Sequence, residues 1–305
     1  MSTRINSPWT VLRLLEWTTD FFKEKGSDSP RLDAEILLAH ARDCPRIALY
    51  TAFDDIPSEE ERVAFRELVR RRGEGAPVAQ LVGYREFYSL RFRVDENVLI
   101  PRPETEHLVI EALDQAKVLQ SRLAEAMLDR PLQILDVGTG SGAIAVTLAK
   151  HLPAAQVTAV DISESALDIA RWNADAHQVS DRITFHQSDL LASIPTESQF
   201  DLICSNPPYV SQDEYEDLPD TVREFEPREA LLAGPTGTEV IDQLVPQAAS
   251  HLVDQGQLII ELSPMIAETC LASVSQDSRW SGAELIRDLA GHQRILTLQF
   301  QLSGD

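Results

Sequence analysis

The chain has 305 residues, 43% of them hydrophobic, with 27 basic against 49 acidic side chains and a net charge of -22. That length and apolar content suffice for two domains with real cores, whereas so acidic a balance repels polyphosphate and demands a local basic patch for any direct nucleic-acid contact. Cys44, Cys204 and Cys270 share no close spacing, no apolar stretch approaches the roughly eighteen residues of a membrane span, and the opening MSTRINSPWT lacks the apolar core of a signal peptide, so the expectation is a cytoplasmic protein with reduced thiols and no membrane contact.

In chain order, Ser7-Pro8 reads as an N-cap and first-turn pair, Val11, Leu14, Leu15, Phe21 and Phe22 keep helical spacing, and Gly26 supplies a stop. Ser29-Pro30 opens a second helix through Leu32, Ile36 and Leu37. Ser58 with Glu61 has the form of a capping box before Val63, Leu68 and Val69, and Gly73 and Gly75 end that helix. Its arginines 66, 70, 71 and 72 are the best basic cluster in the chain, but Glu67 and Glu74 interleave them, which fits a solvated helix face. The pattern predicts a small helical bundle over residues 1–84. Phe87, Leu90, Phe92 and Val94 then alternate like strand residues until the turn-prone Asp95-Glu96-Asn97, which predicts a β-hairpin linker over 85–103.

From 104 to 305 strands and helices take turns. Short apolar runs at 134–137, 157–160, 183–185, 202–204 and 258–261 alternate early on with helical patterns such as 164–176, which predicts an α/β domain with a parallel sheet and helices on both faces. Residues 284–289 and 295–300 read as a closing strand pair around Gly291.

The string ILDVGTGSGAIAVTLAK is a strand, a glycine-rich turn and a helix. Gly138, Gly140 and Gly142, with Thr139 and Ser141 between them, let the backbone approach a ligand while the following helix presents free N–H groups. Asp161 ends the next strand, where a carboxylate accepts both hydroxyls of a ribose. The glycines fall as GxGxG directly after Asp136, the spacing of S-adenosylmethionine-dependent methyltransferases, and the Asp136 carboxylate suits a cationic ligand better than a pyrophosphate. Asp189, after the third strand, stands where such methyltransferases contact the adenine, with Leu190 offering an apolar wall; a simple helix N-cap is the alternative reading of Asp189.

At the fourth strand end stand Asn206, Pro207, Pro208 and Tyr209. The prolines fix φ and remove two donors, so the turn offers carbonyl acceptors in a stiff frame. A planar NH2 group fits it: the Asn206 side-chain oxygen takes one hydrogen, the Pro207 carbonyl the other, and Tyr209 stacks on the plane. These acceptors gain strength as the nitrogen pyramidalises, so they favour the transition state. Asn206 borders the donor as well. Eight acidic side chains follow between Asp213 and Glu229; such a stretch can cover or steer a protein loop, or simply be a solvated surface.

The NPPY tetrad is shared by methyltransferases acting on adenine amino groups in DNA, guanine amino groups in ribosomal RNA and protein glutamine amides, and alone does not choose among them. Together with RLDAEILLAH (31–40), REFYSLRFRVDENVLIPRPETE (85–106), FEPREAL (225–231) and DLAGHQRIL (288–296), the sequence resembles the release factor glutamine methyltransferases, also called PrmC or HemK. The resemblance implies a class I, Rossmann-like methyltransferase domain with a seven-stranded, mostly parallel sheet, a substrate-recruiting helical domain before it, and S-adenosylmethionine as donor without a metal. It implies methylation of the glutamine amide in the Gly-Gly-Gln tripeptide of class 1 peptide-release factors. The donor site carries over to residues 138–142 and Asp161, and the glutamine pocket to residues 206–209. Leu190 stands where some members have an aromatic residue, and Ser263 and Ile266 where members usually have Gly and Gln. A ribosomal-protein glutamine or a nucleic-acid amino group is the second enzymatic reading, and a donor-binding protein without catalysis the third.

Overall fold

Helix α1 (Val11–Glu24) begins where the Thr10 hydroxyl accepts from Arg13 N–H at 3.3 Å, so Thr10, rather than the Ser7-Pro8 pair, caps it. The computed structural model describes residues 8–302, and Ser7 lies outside them. Helix α2 (Pro30–Ala41) starts with Pro30 in its first turn, and α3 (Glu59–Gly73) carries the capping box: Glu61 N–H donates to Ser58 Oγ at 3.2 Å and Ser58 N–H to Glu61 Oε2 at 2.6 Å. A short α4 (Val78–Val82) follows. Val11, Leu15, Phe22, Leu37, Leu38, Leu49, Phe65 and Val69 form the core of this bundle. Leu32 and Val63, expected inside, are exposed, because the buried stripes run through Ala34, Leu37 and Leu38 on α2 and through Phe65 and Val69, four residues apart, on α3. In the arginine cluster, Arg70 pairs with Glu67 and Glu74, and Arg72 pairs with Asp33 at 2.9 Å.

The chain divides into two units. The first joins Tyr84 and the residues before it to a later segment, Asp220–Phe225; the second holds Arg85–Pro219 and the chain from Glu226 onward. Within the first, Gln80 Nε2 donates to the Phe225 carbonyl at 2.7 Å and the Phe225 side chain packs against the helical core. Part of the acidic stretch is therefore anchored in this unit.

A hairpin of β1 (Tyr84–Phe87) and β2 (Leu90–Arg93) follows, but its turn is Tyr88-Ser89, with φ of 49° and 60°, and the expected Asp95-Glu96-Asn97 forms a separate turn closed by Asn97 N–H on Asp95 Oδ1 at 2.8 Å. Two consecutive left-handed residues suit a two-residue hairpin turn. Tyr88 N–H is held there by Glu106 Oε1 at 2.9 Å.

Beyond α5 (Thr105–Glu125) come β3 (Gln133–Val137), α6 (Ala143–His151), β4 (Gln156–Asp161), α7 (Glu164–Ala176), β5 (Ile183–Gln187) and β6 (Phe200–Ser205). A small parallel pair, β7 (Val210–Ser211) with β8 (Leu232–Gly234), brackets α8 (Gln212–Glu216) and α9 (Asp220–Arg223). The chain continues through α10 (Glu239–His251), β9 (Leu252–Glu261), α11 (Ala267–Val274), β10 (Trp280–Arg287) and β11 (Gln293–Phe300). The large sheet has seven strands in the order β10-β11-β9-β6-β3-β4-β5; β9, β6, β3, β4 and β5 run parallel, and β11 and β10 close the edge antiparallel.

Alternate residues of these strands feed two cores. Ile134, Val157, Leu202 and Ile259 face one, with residues of α5 and α6, while Leu135, Val160, Ile203 and Leu258 face the other, with residues of α10 and α11. Truncating a fully buried member such as Leu135 or Ile203 to Ala costs about 2–5 kcal/mol. The chain leaves β3 toward β4 and β5 and then returns to β6 on the other side of β3, so the crevice at the carboxyl ends of β3 and β6 is where such a sheet opens for a ligand.

Candidate functional site

At the carboxyl end of β3 the glycine turn is pinned to β4: Gly138 N–H and Thr139 N–H both donate to the Val160 carbonyl at 2.9 Å. Gly142, at φ 80°, is the cap of α6, and a Cβ on it would lie 3.1 Å from the Ala170 Cβ, so glycine lets α6 start close against α7. Gly140, at φ 54°, has a different use: a Cβ there would meet no protein atom within 4 Å, and the backbone lies bare on its outer side. Thr139 and Ser141 are buried. Asn173, which the sequence reading missed, donates from Nδ2 to the Ser141 carbonyl at 2.8 Å and accepts Arg93 N–H at 2.7 Å, fixing the turn from α7.

Asp136 lies beneath this turn, fully buried. Its Oδ2 accepts from Thr139 Oγ1 at 2.7 Å and Ala145 N–H at 3.1 Å, whereas Oδ1 has no hydrogen-bond partner among the described residues. Burial pushes its pKa up to about 7, against the pull of the Thr139 and Ala145 bonds and with some help from the Asp161 charge. Asp161, at the end of β4, accepts Gly140 N–H on Oδ2 at 2.8 Å and Ser163 N–H on Oδ1 at 2.9 Å. Burial raises its pKa and those N–H groups restrain the rise. Each carboxylate oxygen keeps a further lone pair for a ligand hydroxyl. Ser188 N–H donates to the Asp161 carbonyl at 2.9 Å, so the next two residues, exposed Asp189 and half-buried Leu190, stand at the same sheet edge. No helix begins at Asp189; the chain turns there, with Leu190 at φ 49°.

At the end of β6, Ser205 Oγ donates to the Val137 carbonyl at 2.8 Å, which ties the strand to the base of the glycine turn. Asn206 follows, its backbone oxygen 4.0 Å from where a Gly138 Cβ would be. Its Nδ2 donates to Thr105 Oγ1 at 3.1 Å. Pro207 is buried and Pro208 and Tyr209 are half-buried. Tyr209 Oη donates to Glu261 Oε1 at 3.4 Å, and burial next to that carboxyl raises the phenol pKa. Glu261, the last residue of β9, is fully buried with Oε2 unpartnered among the described residues. Burial lifts its pKa to about 7, while hydrogen bonding by Thr105 and Tyr209 and the Arg294 charge hold it down. Thr105 and Glu261 are thus neighbours of the NPPY turn that the sequence reading did not single out. A carboxylate ending the apolar run LIIE was the available signal for Glu261.

Two of the sequence strings meet beside them: Arg102 of PRPETE donates to Glu226 of FEPREAL at 2.7 Å. Glycine turn, Asp161 and the Asn206 turn are therefore gathered at one sheet edge, with hydroxyl-accepting groups on one side and an oriented amide on the other. Among the described residues no group of His, Cys, Asp and Glu is arranged to hold a metal ion, and no helix is long and apolar enough to cross a membrane.

Residues 13–83 match the family model described as the PrmC N-terminal domain, and residues 111–225 match that of the methyltransferase small domain. A protein of Rhodopirellula baltica called release factor glutamine methyltransferase is 65% identical over 97% of this chain and 98% of its own length. One of the same name from Chlorobaculum tepidum is 47% identical over 83% and 85%. Among solved structures, the hMettl16 catalytic domain in complex with the MAT2A 3'UTR hairpin 6 superposes with a TM-score of 0.54 at 16% identity, covering 75% of this chain and 81% of that one, a likeness of fold alone.

Proposed function

The chain belongs to the release factor glutamine methyltransferase family, and from that premise we propose that it moves a methyl group from S-adenosylmethionine to the side-chain amide nitrogen of the Gly-Gly-Gln glutamine of class 1 peptide-release factors, in the cytoplasm. The residues at the sheet edge fit that donor. Asp161 retains lone pairs for ribose hydroxyls, Gly140 leaves bare backbone for close approach, and the orphaned Asp136 Oδ1 under the turn supplies negative potential that a cationic ligand relieves. Asp189 and Leu190 stand where an adenine edge and face fit.

When bound, S-adenosylmethionine supplies a methyl carbon whose bond to sulfur breaks with the electron pair left on sulfur. The chain's own part is to orient the nitrogen that receives it. Asn206 Oδ1 and the Pro207 carbonyl accept the two amide hydrogens, Pro208 and Tyr209 pack on the flat group, and the lone pair is aimed at the methyl. As the N–C bond forms the nitrogen pyramidalises, its N–H bonds to acceptors already in position stabilise that change without reorganisation, and the methylated nitrogen then loses one proton to solvent water. The observation that carries this reading is the Asn206–Thr105 bond, which occupies the amide Nδ2 and leaves Oδ1 for the substrate. The acidic side chains of 213–229 suit a protein partner and oppose a nucleic-acid backbone.

The experiment supplies radiolabelled methyl donor with purified release factor, free ribosomal protein or DNA. Label is expected in the release factor, and none when its tripeptide glutamine is replaced. Label in ribosomal protein or DNA alone would overturn the assignment.

A further inference from the structure

Tyr209 is held at its ring tip by Glu261 Oε1, to which its hydroxyl donates at 3.4 Å. Its backbone runs into the β7–β8 pair, where Val210 N–H donates to the Leu231 carbonyl at 3.0 Å. A further contact comes from the loop between β8 and α10. Gly237 has φ of 88°, and a Cβ on it would lie 2.8 Å from the Tyr209 carbonyl oxygen, 3.4 Å from Ile266 Cγ2 and 3.5 Å from Ser211 N. A carbon that close to an oxygen is well inside van der Waals contact. The oxygen belongs to the main chain, so no rotation of a side chain relieves the overlap. Ile266, 6% exposed, packs at the same place. The loop is also gripped from behind. Glu239, the first residue of α10, accepts Thr236 N–H on Oε1 at 2.7 Å and Gly237 N–H on Oε2 at 2.9 Å.

We propose that Gly237, held by Glu239, is a positioning residue: its bare backbone is the backstop that seats the Tyr209 peptide and so sets the angle at which the Tyr209 ring meets the substrate amide. The ring follows Pro207 and Pro208, whose fixed φ angles leave the Tyr209 backbone as the next joint that can turn. A side chain at 237 pushes the Tyr209 carbonyl away, and the ring then swings about its Glu261 anchor and off the plane of the amide. The donor side is spared, because the glycine turn and Asp161 are bonded to Val160, Ser163 and each other. The inference rests on the reading of Tyr209 as the ring that packs on the substrate amide.

The test compares Gly237→Ala with Gly291→Ala, a glycine at φ 86° in the β10–β11 turn where a Cβ would meet nothing within 4 Å. Both substitutions force alanine into the same left-handed backbone, and only the first meets Tyr209. Single-turnover methyl transfer to purified release factor, and S-adenosylhomocysteine binding by calorimetry, are measured for both, for Glu239→Ala, for Tyr209→Ala, and for Tyr209→Ala combined with Gly237→Ala or Glu239→Ala. Gly237→Ala is expected to slow transfer roughly ten- to hundredfold, the scale of a misplaced reacting group, while binding S-adenosylhomocysteine within about twofold of the parent. Glu239→Ala should slow transfer by a smaller factor, and Gly291→Ala should transfer at the parental rate. On the Tyr209→Ala background neither Gly237→Ala nor Glu239→Ala should cost much more, because all act through one ring. A parental rate in Gly237→Ala beside a slow Tyr209→Ala overturns the backstop and leaves the amide reading standing, as do losses that multiply independently or an equal loss in Gly291→Ala. A parental rate in Tyr209→Ala overturns the ring's part in the amide reading and the backstop with it. Should Gly237→Ala lose S-adenosylhomocysteine binding through misfolding, Glu239→Ala decides alone: a loss that disappears on the Tyr209→Ala background supports the backstop, and a parental rate overturns it.

Discussion

Arg102 Nη2 and Glu226 Oε1 meet at 2.7 Å across 124 positions of the chain, and the other Glu226 oxygen accepts the Ile100 N–H at 3.1 Å. The pair is lopsided, since the Glu226 side chain is 1% exposed and the Arg102 side chain 31%. Removing one partner of a buried pair costs about 3–5 kcal/mol when the survivor stays buried. Arg102→Ala leaves a buried carboxylate without its cation, whereas Glu226→Gln leaves an arginine that reaches water and an amide oxygen that still accepts from Ile100. Arg102→Ala is therefore expected to lower the urea unfolding free energy more than Glu226→Gln, with the smaller loss near 1–2 kcal/mol. Equal losses would mean that the arginine does not compensate the buried carboxylate.

This relationship also explains what a linear reading does and does not reach. The glycine turn, Asp161 and the parallel strands are legible because each is a local pattern: periodicity in five to seven residues, or a turn adjoining a strand and a helix. Thr105 and Glu261 come from elements 156 positions apart and reach Asn206 and Tyr209 only when β9 has been placed beside β6 and α5 has packed on the sheet, so no spacing in the sequence announces them. The hairpin misled for the opposite reason. Asp95-Glu96-Asn97 has turn composition, but the chain reverses at Tyr88-Ser89, two residues of ordinary propensity held at positive φ, with Glu106 bonding the Tyr88 N–H. Helix α1 starts after Thr10 because side-chain capping geometry, rather than the presence of a Ser-Pro pair, decides the first turn.

Asp161 is the sharpest test of the donor site. Asp161→Ala removes the acceptors proposed for the ribose and also frees the Gly140 N–H that now bonds Oδ2. Charge-assisted hydrogen bonds contribute roughly 1.5–3 kcal/mol each, so S-adenosylhomocysteine affinity measured by calorimetry should fall at least tenfold for each ribose hydrogen bond that disappears. Asp161→Asn keeps one oxygen and should fall between. An unchanged dissociation constant in Asp161→Ala would remove this residue from the site.

Glu261 makes a prediction about pH whose sign is fixed by its surroundings. Its folded pKa of about 7 lies above its ordinary 4.5, so its contribution to stability is complete below pH 4.5 and is lost as pH rises through 7. Glu261→Gln has no such loss. The unfolding free energy of the variant relative to the parent should therefore improve between pH 5 and pH 8, by on the order of 1–3 kcal/mol. A constant difference across that range would show that Glu261 does not titrate there.

Asn206 carries the chemical claim. Asn206→Ala leaves the glycine turn and Asp161 in place, since their hydrogen bonds run to Val160, Ser163 and Thr139 and not to this side chain. S-adenosylhomocysteine affinity should hardly change. The lost acceptor matters most as the substrate nitrogen pyramidalises, so the deficit should fall on kcat more than on KM, and a positioned polar group of this kind is typically worth roughly a hundredfold. Asn206→Asp keeps an acceptor toward the substrate but gives up the donor that now holds Thr105. It should turn over faster than Asn206→Ala and slower than the parent. Single-turnover transfer to release factor distinguishes these cases, with a factor carrying glutamate in place of the tripeptide glutamine as control. Transfer at the parental rate by Asn206→Ala, or equal methylation of the glutamate-bearing factor at that position, would show that the Asn206 oxygen does not hold the amide.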